Sequence, residues 1–298
     1  MSTKIPDALK ADMPQTTWSR ILVATPVVMT VVATLLAGLA SSEMTRAQYN
    51  RALAAQQQAK AGDQWSFFQA KRLRGAVQLG TLDLLRATAS VRPLTEAALQ
   101  RIGEGDAAVS AAMLKGELPP NPGPATAEPS LQSALEAVER MQPEPEIRAA
   151  LASVRATTVD EAIQAARDRA AAFDRAATPI SRGVDRVEKA VAASGPADLL
   201  RDVTAARLRY TAARYEVEAR LNQAVANLYE LQVRMSNMAA ERHHRRSERF
   251  FLGMLAAQAA VITATFALAA RQRSILWSLA AAVGVVAIVF AVYVYVWL

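Results

Sequence analysis

Three long runs without a charged side chain constrain this sequence more than any of its other features. They cover residues 21–40, 250–270 and 275–298 and contain no Asp, Glu, Lys or Arg. About 20 helical residues cross a hydrocarbon core of about 30 Å, so each run is long enough to span a bilayer. Buried helices of a soluble protein are the alternative, but three uncharged runs with basic flanks rarely arise in that way. We therefore predict an all-α membrane protein with three transmembrane helices.

The runs divide the chain into a membrane part and one large domain. We interpret the first run as an uncleaved signal anchor, because it is longer than the apolar part of a secretory signal peptide, although the small residues at 37–42 could be cleaved. The predicted segments are an N-terminal tail at 1–20, transmembrane helix 1 at 21–40, a helical stalk domain at 41–249, transmembrane helix 2 at 250–270, a loop at 271–274 and transmembrane helix 3 at 275–298.

The short loop between the last two runs sets the topology. Residues 271–274 hold two arginines and force a tight hairpin, so the tail and this loop share one side of the membrane. Short basic loops favour the cytoplasm, which places the large domain outside. Residues 41–60 and 230–249 hold eight Lys and Arg, against five on the other side, and favour the reverse. Long domains count less under this rule, so we expect an extracytoplasmic domain.

The large domain reads as helix throughout, with no alternating strand pattern. Its two proline-free arms, 42–90 and 197–249, predict a long antiparallel, coiled-coil-like stalk that continues the first two transmembrane helices. The tip at 91–196 is expected to hold short helices and a Pro-rich loop at 117–129. A capping box at Thr158–Glu161 predicts the start of a further helix there.

Apolar residues of the second arm recur at alternating spacings of three and four, as in a coiled coil. The predicted seam consists of Leu199, Val203, Ala206, Tyr210, Ala213, Val217, Leu221, Ala224, Leu228, Leu231, Met235 and Met238. A weaker stripe on the first arm consists of Ala70, Leu73, Val77, Gly80 and Leu84. These patterns predict that the two arms pack against each other.

Composition excludes several classes of function. With no cysteine, the chain has no disulfide, thiol nucleophile or Cys-based metal site. The 34 Lys and Arg exceed the 27 Asp and Glu, but charges of both signs alternate along the large domain, so no nucleic-acid partner is expected. No nucleotide-binding, nucleophile-elbow or zinc-protease motif occurs, and the runs lack the ionisable residues of a transporter. We expect no enzyme activity, cofactor or metal.

A basic cluster directly precedes the second apolar run. We predict that it contacts lipid headgroups, and its members are Arg242, His243, His244, Arg245, Arg246 and Arg249. A copper site that adds Met235 and Met238 is an alternative. Adjacent helical histidines point about 100° apart, so both cannot bind one metal on a regular helix face.

An aromatic segment gives the clearest candidate for a packing or interface surface. Trp65, Phe67 and Phe68 are three rings within four helical positions, so they cover more than one face. Packing inside the stalk, an oligomer contact and a ligand pocket all remain open. Further candidates for packing or an interface are Leu221, Leu228, Leu231, Met235 and Met238.

The same segment resembles the signature of an uncharacterised bacterial family of membrane proteins with a domain of unknown function. It reads Asp63-Gln64-Trp65-Ser66-Phe67-Phe68-Gln69-Ala70-Lys71 and follows the first run. Arg249-Phe250, the arginine-bearing loop and Trp277 extend the similarity, which covers 18–90 and 225–298. The middle departs from it, because the Pro-rich loop is an expansion. The resemblance implies architecture only, because no activity is established for the family.

We expect a non-enzymatic scaffold or accessory subunit in a bacterial inner membrane. Its partners would be the lipid membrane and either further copies of itself, as a homo-oligomer, or a larger membrane complex. A sensory or regulatory ligand-binding module is the alternative, although little chain remains on the far side of the membrane to carry an output. A membrane enzyme is a third possibility that lacks a nucleophile or metal set.

Overall fold

The fold was analysed in a computed structural model, which describes residues 17–103, 105–120, 128–269 and 275–297. Most of the predicted N-terminal tail, most of the Pro-rich loop and the arginine loop at 271–274 lie outside the described residues. Within the described ranges the chain forms eight helices and no strand.

The helices are numbered in chain order. They are α1 (Thr17–Thr88), α2 (Glu96–Ile102), α3 (Ala107–Lys115), α4 (Pro129–Glu139), α5 (Glu144–Ala152), α6 (Ala156–Ser194), α7 (Ala197–Ala269) and α8 (Ile275–Trp297). Three of them, α1, α7 and α8, contain stretches long and apolar enough to cross a membrane. The predicted all-α class and its three membrane-spanning candidates are confirmed.

The chain divides into two compact units, each of which has its own core. Unit 1 comprises Met1–Ala52 and Ser236–Leu298, and unit 2 comprises Leu53–Met235. The core of unit 1 joins α1, α7 and α8 through mostly small or aliphatic residues, which are Met29, Ala33, Leu36, Ala40, Phe250, Ala257, Ala260, Ala287 and Val294. The packing is tight at Gly284, where an added Cβ would lie 2.7 Å from Met29 Sδ.

In unit 2, α1 and α7 run antiparallel. The residue numbers of the contacting partners on α7 decrease as those on α1 increase. Trp65 bonds Glu230, Lys71 bonds Glu218, and Leu82 packs with Ala205 and Leu208. Small side chains recur every seven residues on the α7 face that meets α1, and the buried set is Ala205, Ala212, Ala219 and Ala226. Such residues let two helices approach closely.

A second core of unit 2 joins α7 to the helices of the predicted tip. Leu99 of α2, Val109 and Met113 of α3, and Val184 of α6 are each at most 2% exposed and pack with α7. Gly183 permits this approach, because a Cβ there would lie 2.3 Å from Val109 Cγ2. Within unit 2, α7 therefore packs against α1 on one face and against α2, α3 and α6 on another.

This arrangement corrects the predicted arm-to-arm seam. Val203, Ala206 and Tyr210 belong to the core with α2, α3 and α6, whereas Ala205 and Leu208 meet α1. The stripe predicted on the first arm is exposed to solvent instead of packed, and its members are Ala70, Leu73, Val77, Gly80 and Leu84. One apolar seam was inferred for a helix that in fact has neighbours on two faces.

The tip also differs from the prediction in two places. α6 has 39 residues and is not a short helix. It begins at Ala156, so the predicted capping box at Thr158–Glu161 is wrong, and Thr158 instead donates its hydroxyl to Glu128 Oε2 at 3.0 Å. Side-chain caps do start two other helices, from Thr95 at α2 and from Asp106 at α3.

Candidate functional site

One face of α1 in unit 2 exposes large apolar side chains. We call Ala70, Leu73, Val77, Gly80 and Leu84 the outer stripe. Leu73, Val77 and Leu84 are 67%, 55% and 64% exposed. At 100° per residue these positions share one face of the helix, opposite the face that carries buried Gly75 and Leu82. A contiguous apolar face of this kind is typical of a protein or membrane interaction site.

The aromatic segment lies at one end of this region and divides between two faces of α1. Trp65 Nε1 donates to Glu230 Oε1 of α7 at 2.7 Å, and the Phe68 ring stands edge-on to Trp65 at 5.3 Å between centroids. Phe67 is 53% exposed. Two rings therefore pack inside unit 2, and the third is available at its surface.

A charged network holds α1 to α7 behind the outer stripe. The Glu218 carboxylate is 7% exposed and bonds two cations, Lys71 of α1 and Arg214, whose Nε lies 3.1 Å from Glu218 Oε1. Arg214 also donates to the hydroxyl of Ser181 on α6. This network joins three helices. Sequence reasoning missed it, because Lys71 and Glu218 are 147 residues apart and neither belongs to a motif.

Tyr210 lies beside this network in the second core of unit 2. Burial raises the pKa of its phenol above the ordinary value of 10.0, because the charged phenolate would lose its hydration. Ser181 and Arg214 oppose the rise, and Glu218 adds to it. The tyrosine is therefore held in its neutral form as part of the packing.

The other predicted packing residues of α7 are all at least partly buried. Leu228 and Leu231 are buried, whereas Leu221, Met235 and Met238 are half-buried. Leu228 also lines a groove between α4, α6 and α7. These side chains contribute to the interior of their own units and leave no continuous exposed surface.

In unit 1 a histidine of the predicted basic cluster forms a partly buried pair with a carboxylate of α1. His243 Nδ1 lies 2.6 Å from Glu43 Oε2, and the Glu43 carboxylate also meets Arg46 at 3.3 Å. One turn further along α7, Ser247 donates its hydroxyl to the Ala40 carbonyl at 2.8 Å. Glu43 was not a predicted site residue, because a single acid in the first arm carries no pattern.

The remaining members of the basic cluster face outward to different degrees. His244 Nε2 lies 3.3 Å from Glu248, and Arg245 lies 3.9 Å from Glu241. Arg242 is exposed, and Arg246 and Arg249 are half-buried. Across the described ranges, no group of three or more His, Asp or Glu residues is arranged to hold a metal ion.

Comparison with known proteins gives one match. The family model for a "Domain of unknown function (DUF4337)" matches residues 18–181. The match runs through the tip, where a departure from the family was expected, and it does not include 225–298. No curated protein and no solved structure matches the chain.

Proposed function

The chain belongs to the DUF4337 family, whose function is unknown, and on that premise we propose that it is a non-enzymatic, membrane-anchored scaffold or accessory subunit. In this proposal the apolar segments of α1, α7 and α8 hold unit 1 in a cell membrane. Unit 2 then assembles with further copies of the chain or with another membrane protein.

The observation that carries the proposal is the outer stripe of α1. Its Leu73, Val77 and Leu84 lie outside the three apolar runs, so the bilayer core does not explain their exposure. Full burial of such a side chain contributes about 1.5–3 kcal/mol. Several of them together can offset the several kcal/mol that association costs in lost freedom.

We further propose that the chain crosses the bacterial inner membrane three times and that unit 2 is extracytoplasmic. The short basic loop at 271–274 supports this orientation, because basic loops are retained in the cytoplasm. The exposed guanidinium of Arg242 and its neighbours would then contact lipid phosphates at the outer boundary of the second span.

Cysteine protection in native membranes tests the assembly face. The chain has no cysteine, so single substitutions can be labelled specifically. We expect Leu73→Cys to react slowly with a bulky, water-soluble maleimide, because a partner covers the outer stripe. The matched control is Asp83→Cys, which is exposed on the flank of α1 and should react quickly.

Purification separates the possible partners. If the protection of Leu73→Cys persists in detergent together with an oligomer in native mass spectrometry, the partner is a second copy. If protection is lost on purification, the partner is another membrane protein. Equal labelling of Leu73→Cys and Asp83→Cys in native membranes contradicts the proposal. Protection of Leu73→Cys that persists in nanodiscs holding one copy of the chain also contradicts it, because only lipid can cover the outer stripe there.

The orientation has its own test. We expect Ser133→Cys, on the exposed side of α4, to be labelled from outside intact cells, and Ser2→Cys to be labelled only after the membrane is opened. The opposite result would place unit 2 in the cytoplasm and leave the assembly proposal standing.

A further inference from the structure

A groove of about 800 Å³ lies within unit 2, between α4, α6 and α7. Its floor is apolar and is built from Leu131 and Leu135 of α4, Ala162 and Ala165 of α6, and Leu228 of α7. The two alanines create the space, because larger side chains at those positions would fill it. The volume is in the range of ordinary small-molecule sites.

Carboxylates lie at the two ends of α4 where it borders this groove. Glu128 stands just before the helix and Glu139 is its last residue, so they are 11 residues apart. Eleven residues make about three helical turns, which puts both on one side of α4 and about 16 Å apart. Glu161 of α6 lies at the Glu128 end, because Thr158, one turn before it, bonds Glu128.

Within the described ranges, the residues that line the groove carry more negative than positive charge. Glu128 forms an ion pair with Arg155 at 3.6 Å. Within the described ranges, Glu139 accepts a hydrogen bond from the neutral amide of Asn227 at 2.8 Å. Glu161 is exposed and lines the same groove from α6. Arg169 is the one basic residue among the described lining residues, and its Nε donates to the Ala165 carbonyl.

We propose that this groove binds an aliphatic polyamine. The methylene chain lies on the apolar floor, and the terminal ammonium groups meet Glu139 at one end and Glu161 with Glu128 at the other. The spacing of the carboxylates selects a long polyamine over a short diamine. Anionic and neutral amphiphiles lack the charge that these ends complement.

Equilibrium dialysis of radiolabelled spermine against the purified full-length protein in an uncharged detergent tests the assignment. We expect saturable binding of one spermine per chain, and weaker binding of putrescine, which cannot reach both ends. Glu139→Gln and Glu161→Gln should each weaken spermine binding about tenfold, because each removes one charge-assisted hydrogen bond. The matched control, Glu96→Gln, removes the same charge from an exposed position on α2 and should leave the affinity unchanged.

A second pair of variants tests the apolar floor. Ala165→Leu should abolish binding by filling the groove, whereas Ala171→Leu, on an exposed part of α6, should not change it. The inference is wrong if spermine does not bind saturably, if putrescine binds equally well, or if Glu96→Gln weakens binding as much as Glu161→Gln. Native mass spectrometry of the same samples reports the assembly state, so this inference and the scaffold proposal can fail separately.

Discussion

The two long faces of α1 in unit 2 reverse the usual relation between side-chain size and burial. Apart from Leu82 near its end, the inner face, toward α7, buries mainly small residues, which include Ala54, Ala61 and Gly75. The outer face exposes Leu73, Val77 and Leu84. If unit 2 acted alone, folding would gain from the opposite distribution, because larger buried side chains contribute more. The small side chains let the inner face approach α7 closely. Under the proposed function, the outer face binds a partner.

The inner face gains its specificity from polar contacts as well as from small side chains. An alanine interface buries little apolar area and permits sliding by one heptad, since every seventh residue is alike. The bond from Trp65 to Glu230 and the pair of Lys71 with Glu218 fix one register. The outer face has no such markers among its five members, so its register would come from the partner.

The largest expected effect comes from removing the acid that holds the inner face. Glu218→Ala should lower the free energy of unfolding by about 3–5 kcal/mol, because it leaves Lys71 and Arg214 half-buried without their carboxylate. The control is Glu216→Ala, two residues away, which removes only an exposed pair with Arg220 and should cost under about 1 kcal/mol. Far-UV circular dichroism during denaturation in detergent measures both. Equal losses would mean that the network does not hold α1.

A matched pair of leucine truncations contrasts the two faces directly. Leu82→Ala should cost about 2–5 kcal/mol of unfolding free energy, since Leu82 is 3% exposed and packs with Ala205 and Leu208. Leu73→Ala should cost under about 0.5 kcal/mol in the dissociated protein but weaken assembly. Denaturation curves measure the change in unfolding free energy, and native mass spectrometry measures the change in assembly. A Leu73→Ala variant that unfolds as easily as Leu82→Ala would place Leu73 in the core of unit 2.

Enlarging an alanine on each face gives a smaller effect. Ala61→Leu should destabilise unit 2 by about 1–3 kcal/mol, because Ala61 is 0% exposed and the helices have no room for an isobutyl group. Ala76→Leu, at an exposed position of the same helix, should change stability by under about 0.5 kcal/mol. Thermal unfolding of the two variants in one detergent separates them. A tolerated Ala61→Leu would show that the inner face is loosely packed.

The architecture was predictable where a residue pattern is typical of a single kind of secondary structure or membrane segment. The three uncharged runs predicted the membrane-spanning candidates, and the long proline-free arms predicted helices that continue them. Helix partners were less predictable, because α7 carries interleaved faces and its most apolar seam meets the tip. The buried alanines were overlooked because alanine is common throughout the chain and carries a weak apolar signal.

The candidate sites depend on contacts between residues that are far apart in the sequence and could not be predicted from it. Glu43, Glu218 and Glu230 look like ordinary exposed acids, and only folding brings them to His243, Lys71 and Trp65. The aromatic segment was recognisable, since three rings in four positions must occupy more than one face. Which ring stays outside followed from the position of α7, and that position was not known from the sequence.

The smallest expected effect concerns Tyr210, on the face of α7 that packs against α2, α3 and α6. Because burial raises the pKa of Tyr210, the folded protein keeps this phenol protonated where the unfolded chain begins to lose its proton. The stability that this provides is complete below pH 10.0 and is lost as the pH rises through the folded-state pKa. Tyr210→Phe should therefore flatten the fall in unfolding free energy above pH 10.0, whereas Tyr49→Phe, at a side chain 67% exposed, should not. Urea denaturation between neutral and strongly alkaline pH measures the slopes, and identical slopes in both variants would show that the Tyr210 phenol is not held in a dry core.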